Sequence, residues 1–194
     1  FPPDLDYVIA LDTTLSVTEG ITEIKHTLFE ALVLVMIVVF VFLQGWRATL
    51  IPLLAVPVSL VGTFMLFPMF GFSINTLSLF GLVLAIGLVV DDAIVVVEAV
   101  EHHIEHGMSP KDATLRAMEE VTGPVIAIAV ILAAVFVPTA FIPGITGQPY
   151  QQFAVTIAIS VIISAFNALT LSPALCAMLL RPKVKGSGPL QKFY

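Results

Sequence analysis

The run from Leu82 to Val100, LVLAIGLVVDDAIVVVEAV, places two adjacent acids, Asp91 and Asp92, in a stretch with the length and apolarity of a membrane span. An ionised Asp at the centre of a spanning helix costs roughly 2.5–3.5 kcal/mol on insertion scales. A pair of them requires a partner, a bound proton or a function, and an acid inside the bilayer is a functional candidate by default. With a turn of about 100° per residue, Asp92 falls on the side of Gly81, Ala85 and Leu88, and Asp91 is turned toward Leu84, Leu88 and Val95. Gly81, Ala85 and Gly87 are small residues that let a neighbouring helix approach closely. Both acids can face a helix bundle, but they meet different neighbours.

Similar hydropathy recurs along the chain. Spans are expected over about 26–43, 50–70, 76–97, 124–141 and 153–180, each near or above the ~20 residues that cross about 30 Å of hydrocarbon. Hydrophobic residues make up 58% of the chain and charged ones 11%, with mean hydropathy +1.05. A water-soluble globular domain is thereby excluded, and the fold class is all-α and integral to the membrane. The net charge of -6 offers no basis for binding nucleic acid. Cys176 is the single cysteine, so no intrachain disulfide exists. The chain opens at Phe1 on hydrophilic residues with no signal-peptide pattern, and the expectation is a partial segment of something longer.

In chain order, residues 1–12 suggest a short β-strand, with Leu5, Tyr7, Ile9 and Leu11 alternating against their neighbours. A lone strand is unstable, so its sheet must lie elsewhere. Residues 13–180 form the helix bundle. Asp12, Thr13 and Thr14 are N-cap candidates and Ser16 with Glu19 fits a capping box, so a long helix should run from there unbroken to Leu43. Residues 44–49 are a polar connection holding the interfacial anchors Trp46 and Arg47. Pro52 suits a helix start, and Pro57 should kink the helix. Gly107 stops the di-acid helix. Ser109, Pro110 and Asp112 then start a separate amphipathic helix over 110–121 on the membrane surface, before Thr122-Gly123-Pro124 opens the next span. Pro143, Gly144, Gly147 and Pro149 make a loop, and residues 181–194 are a basic tail.

Charge fixes the orientation. With Arg47, the 98–122 loop and the tail on one side, seven of the eight basic residues share that side and only Lys25 lies opposite. By the positive-inside rule, residues 44–49, 98–122 and 181–194 are cytoplasmic, and residues 1–12 and 144–148 are outside.

Other polar residues carry two readings each. Glu30, near the outer end of the first span, either joins an ion or substrate path or is a snorkelling structural acid. Ser160, Ser164 and Asn167 line one face of the last span at i, i+4, i+7 and either hydrate a proton path or bond neighbouring helices. His102, His103 and His106 are spaced to ligate zinc in part, but no Cys or catalytic pattern accompanies them, so no metal site is expected. No Lys or Arg lies within the five spans to pair with Asp91 and Asp92, which argues against a purely structural ion pair. An intramembrane aspartyl protease needs carboxyls converging on one water from different helices, whereas these are consecutive, so the chain is not read as an enzyme. A passive channel or structural bundle is the remaining alternative of another class.

FGFSINTLSLFGLVLAIGLVVDDAIVVVEAVE, with FLQGWRATLIPLLAVPVSLVGT before it and VFVPTAFIPGITGQPYQQF and LSPALCAMLL after it, resembles the first-half membrane region of the resistance-nodulation-division (RND) superfamily. The resemblance is to its hydrophobe/amphiphile multidrug efflux pumps. It implies that the chain holds the second to sixth transmembrane helices of one half, preceded by the last strand of a periplasmic porter subdomain. Asp91 and Asp92 match the family's adjacent proton-relay acids. The implied activity is substrate/proton antiport across the inner membrane, driven by the proton-motive force without a cofactor. The implied partners are the second half of the same pump, with its Lys and Thr partners for the acids, two further copies in a homotrimer, a periplasmic adaptor and an outer-membrane channel. A lipid- or protein-exporting member of the superfamily is the nearer alternative.

Overall fold

A computed structural model of the chain describes residue 12, residues 14–143 and residues 147–181. Every regular element among the described residues is helical: α1 (Thr14–Leu43), α2 (Trp46–Leu66), α3 (Thr76–Glu105), α4 (Pro110–Phe136) and α5 (Gly147–Leu179). Short 3-10 turns extend α2 over Phe67–Phe70 and α4 over Val137–Phe141. Among these residues, five helices are long and apolar enough to cross a membrane. Residues 1–11 of the expected strand and the tail beyond Arg181 lie outside the described residues, as does most of the 144–148 loop.

Helix is the outcome even for VVDDAIVVV, whose β-branched residues are mediocre helix formers. In an apolar medium a helix satisfies its backbone within the segment, which outweighs a few tenths of a kcal/mol of propensity per residue. α3 is the hub and packs against the other four helices, most extensively α5. In their most apolar stretches α3 and α5 are 56% and 61% buried, whereas α1 and α4 reach only 11% and 6%. The last two therefore present apolar faces for lipid or for further protein to cover. Ile51, Ile86, Val89, Val96, Val97, Ile157 and Val161 form the shared core of α2, α3 and α5.

The ends follow local chemistry in several places. The Oδ1 of Asp12 accepts from the backbone N–H and the hydroxyl of Thr14, at 2.9 and 2.5 Å, and caps α1; Ser16 and Glu19 fall inside the helix, so their expected capping box does not form. Asn75 and Ser78 form a reciprocal capping box at the start of α3. Gly71, at φ 67°, turns the chain ahead of it. Gly107, at φ 93°, ends α3, and Ser109 caps α4 by accepting from the Asp112 N–H at 3.2 Å.

Three expectations at prolines need correction. α2 starts at Trp46 behind the extended Gly45, so the connection shrinks to Gln44 and Gly45, and Pro52 lies inside the helix with Pro57. The separate helix over 110–121 does not exist: α4 runs from Pro110 through Pro124 to Phe136. Ala113, Ala117, Val121, Val125 and Ala129 are buried at intervals of four, and this ridge crosses Pro124 without interruption. Tertiary packing of that ridge overrides the local stop at Gly123-Pro124. Likewise α5 begins at Gly147, so Pro149 lies within its first turn, where the missing N–H costs nothing.

Candidate functional site

The site is built where α3 and α5 approach most closely. A Cβ on Gly81 would sit 3.3 Å from the Phe153 carbonyl oxygen, so the glycine is what admits the α5 backbone. Ala85, one turn on, is fully buried in the same seam. At the mouth of this seam the Asn75 Nδ2 donates to Gln152 Oε1 at 2.7 Å, and the Gln152 amide donates in turn to the Ser73 carbonyl. These contacts fix the register between the N-terminal ends of α3 and α5.

That register carries Asp92 into the seam. Its side chain is 5% exposed, and Oδ2 accepts from the Ser164 hydroxyl at 2.7 Å. Asp91 lies outside the seam and is exposed. It lines a groove of about 400 Å³ between α1 and α3, with Leu34, Val35 and Val38 on one wall and Leu84, Gly87 and Leu88 on the other. The helical register read from the sequence thus separates the two acids as expected. Among the described residues neither carboxylate has a cationic partner; ion pairs such as Arg116 with Glu119 and Glu120, and His103 with Glu120, lie elsewhere.

Ser160 and Asn167 join the same α5 face but reach α2 instead. The Ser160 and Thr63 hydroxyls lie 3.0 Å apart, and Asn167 Nδ2 donates to Ser59 Oγ at 2.8 Å. The row makes interhelical hydrogen bonds through Asn167 to Ser59 and through Ser164 to Asp92. The Thr63 and Ser160 hydroxyls also lie 2.8 Å from the Ser59 and Thr156 carbonyl oxygens, so each proton has an acceptor in its own helix besides the hydroxyl across the interface. Ser59 and Thr63 escape a reading of the sequence alone; their i, i+4 spacing inside an apolar run is the available signal.

Two expected residues lie apart from the seam. At Gly87 an added Cβ would meet no atom of the described residues within 4 Å, because its face of α3 opens onto the Asp91 groove. Glu30 is exposed on α1, one turn from Leu34, and lines a shallow apolar depression with Phe29 and Val33. The His102 and His106 rings pack together with centroids 4.3 Å apart, while His103 turns to α4. His106 Nδ1 lies 2.7 Å from the His102 carbonyl oxygen, while His103 Nε2 lies 3.2 Å from Glu120 Oε2. Among the described residues no group of three His, Cys, Asp or Glu is placed to hold a metal.

The Asp91 groove runs on toward the C-terminal end of α3. A neighbouring cavity of about 420 Å³ shares Val38, Val39 and Ile94 with it and adds Glu98, Glu101, His102 and Glu105. One carboxylate is thus held in a closed seam by the Ser164 hydroxyl, and its neighbour stands in an open cleft lined with apolar residues. Such a pair can take up or release a proton on one side while staying anchored on the other.

Comparison with known proteins agrees with this architecture. The model of the AcrB/AcrD/AcrF family matches residues 1–194. The chain is 52% identical over 187 residues to the toluene efflux pump membrane transporter TtgB of Pseudomonas putida, covering 96% of this chain and 18% of that protein. It is 52% identical over 183 residues to the multidrug export protein AcrF of Escherichia coli, with 94% and 18% covered. To the multidrug resistance protein MdtF of the same organism it is 49% identical over 187 residues, with 96% and 18% covered. The chain therefore spans 18% of the length of these relatives. With di-acid helix, apolar bundle and family match in agreement, the chain belongs to the AcrB/AcrD/AcrF family, within the resistance-nodulation-division superfamily of efflux transporters.

Proposed function

We propose that this chain works as the first-half membrane region of a proton-driven efflux transporter, with Asp91 and Asp92 as the proton-accepting pair. The observation that carries the reading is the split environment of consecutive carboxyls: Asp92 is buried against Ser164, and Asp91 is open to the α1–α3 groove. Two carboxylates on adjacent residues in a low-dielectric interior cannot both ionise cheaply without a counter-charge. A cationic side chain from the second half of the transporter, seated in the groove, would supply it; the family's Lys and Thr partners are the expected residues. Protonation then weakens that contact and lets helices shift, so that a local charge change biases a two-state element. The driving force is about 2.3 kcal/mol per charge per 100 mV, plus any pH difference.

In this reading residues 1–12 and 144–148 are periplasmic, and the 98–122 segment and the basic tail are cytoplasmic. The whole transporter is a homotrimer in the inner membrane, working with a periplasmic adaptor and an outer-membrane channel. Its substrates are drugs or other amphiphiles; the names of the relatives give toluene for TtgB and multiple drugs for AcrF and MdtF. The test is substrate-dependent proton entry into vesicles containing the full-length transporter. Loss of that flux in both Asp91→Asn and Asp92→Asn, with assembly intact, supports the reading. Coupled flux in either variant refutes it.

A further inference from the structure

The buried hydroxyls of the bundle differ in where they donate. Thr63, Thr156 and Ser160 each donate to the carbonyl one turn back in their own helix, at 2.8, 2.6 and 2.8 Å. Ser164 occupies the next turn of the same α5 face and is as deeply buried, yet both its acceptors lie on α3. Its hydroxyl is 2.7 Å from Asp92 Oδ2 and 3.3 Å from the Val89 carbonyl oxygen. One O–H therefore faces two acceptors, one able to change charge and one fixed.

We propose that Ser164 is a positioning residue for Asp92, a hydroxyl that points its proton at the ionised carboxylate and turns to the Val89 carbonyl when that carboxyl is protonated. The α3–α5 link then survives both protonation states while exchanging its acceptor. Asp92 keeps one orientation in the seam throughout the cycle, and the change is confined to where the proton lies. This rests on Asp92 being a titrating group of the transport cycle. The charged neighbour acting on Asp92 among the described residues is Asp91; α1, α2, α4 and α5 bring it no titratable group. Ser164 is thus the one hydrogen-bond donor among the described residues that tells an ionised Asp92 from a neutral one.

The test compares Ser164→Ala with Ser160→Ala in the full-length transporter, reading the pH profile of substrate-coupled proton entry into vesicles. Both substitutions remove a buried hydroxyl from the same helix face, so a merely structural role predicts equal effects. A hydrogen bond to a charged acceptor is worth about tenfold or more. Ser164→Ala should therefore displace the midpoint of the profile by about tenfold in proton concentration, and Ser160→Ala should leave it in place. Ser164→Cys, close in size with a weaker donor, should fall between and carries the test if the alanine variant does not assemble. Asp92→Asn serves as the reference. If that variant still couples protons to efflux, the relay reading itself fails. If it is silent while Ser164→Ala and Ser164→Cys keep the wild-type midpoint, the role given to Ser164 alone is overturned.

Discussion

The hydroxyl of Ser164 and the carboxylate of Asp92 stand 2.7 Å apart across the α3–α5 seam, while Asp91, one residue earlier, faces the open groove beside α1. Consecutive residues of a helix point about 100° apart, so a single helix serves a sealed interface with one acid and an accessible cleft with the other. The two carboxyls are therefore unequal before any further part of the transporter is added.

From this inequality follows the response to substitution. Asn keeps the shape of Asp and accepts through its amide oxygen, so Asp92→Asn still bonds Ser164, and an amide is cheaper to bury than an ionised carboxylate. Expression and oligomerisation of Asp91→Asn and Asp92→Asn should stay near normal while efflux is abolished. Glu30→Gln, altering an exposed residue of α1, should have a milder effect. Alanine separates the sites by stability: Asp92→Ala strips Ser164 of its closest partner and should cost about 1–3 kcal/mol, against little for Asp91→Ala. Thermal unfolding of the purified transporter measures the difference, and equal losses would contradict the burial pattern.

Gly81 and Gly87 give a second contrast. A side chain at Gly81 runs into the Phe153 backbone, which cannot yield as a flexible side chain does. Gly81→Val should cost about 1–3 kcal/mol by overpacking and pull Ser164 away from Asp92. Gly87→Leu meets open space in this segment, so its effect reports on whatever covers the groove. Normal folding of the isolated segment with lost efflux in the full-length transporter is the expected result. Unimpaired efflux would mean that nothing packs there.

Much of this was legible in the sequence because the bilayer leaves few choices. Five apolar runs became five helices, and the spacing of Gly81, Ala85 and Asp92 marked the buried side of α3. Ser109 and Gly107 set their boundaries through backbone chemistry that acts locally. Pro124 and Pro52 misled because their penalty is local, whereas the ridge from Ala113 to Ala129 that offsets it at Pro124 is visible only once α4 is packed. Gly87 opens onto the groove instead of the seam, since small size permits close approach without requiring it. The partners of Ser160, Ser164 and Asn167 were not legible, because spacing along one helix holds no information about acceptors on another.

Orientation is testable independently of transport. Seven of the eight basic residues fall on the side assigned to the cytoplasm. Phe141→Cys and Ser109→Cys sit near opposite ends of the α4 rod, outside its buried ridge, and native Cys176 is buried and should label slowly. An impermeant thiol reagent added outside spheroplasts should modify position 141 and spare position 109. Modification of both from the same side would sink the topology.

The cap on α1 should respond to acid. Both hydrogen bonds from Thr14 hold the Asp12 carboxyl below its usual range, the hydroxyl contributing most. A group whose pKa is depressed on folding stabilises the structure above its unfolded value and loses that contribution as pH falls through the folded value. The cap is thus intact at neutral pH and released in acid, below the ordinary carboxylate range. The Thr14 amide resonance should shift with this titration in wild type and stay flat in Asp12→Asn. A Thr14 shift that follows pH equally in both proteins would rule the cap out as its cause.

The open groove makes the last prediction. Asp91 has no cationic partner among the described residues, and α1 is largely uncovered along its apolar length. An ionised carboxylate at this depth is costly without a counter-charge, and a relay with no partner to hold and release cannot drive a cycle. Expressed alone, the segment should insert in the membrane and keep the α3–α5 seam, whose contacts are all internal, yet catalyse no proton-coupled efflux. Supplying the remaining sequence in trans should restore flux only if it carries a cation that reaches the groove. Proton-coupled efflux from vesicles holding this segment alone would show that Asp91 and Asp92 need no partner, and the proposed mechanism would then be wrong at its centre.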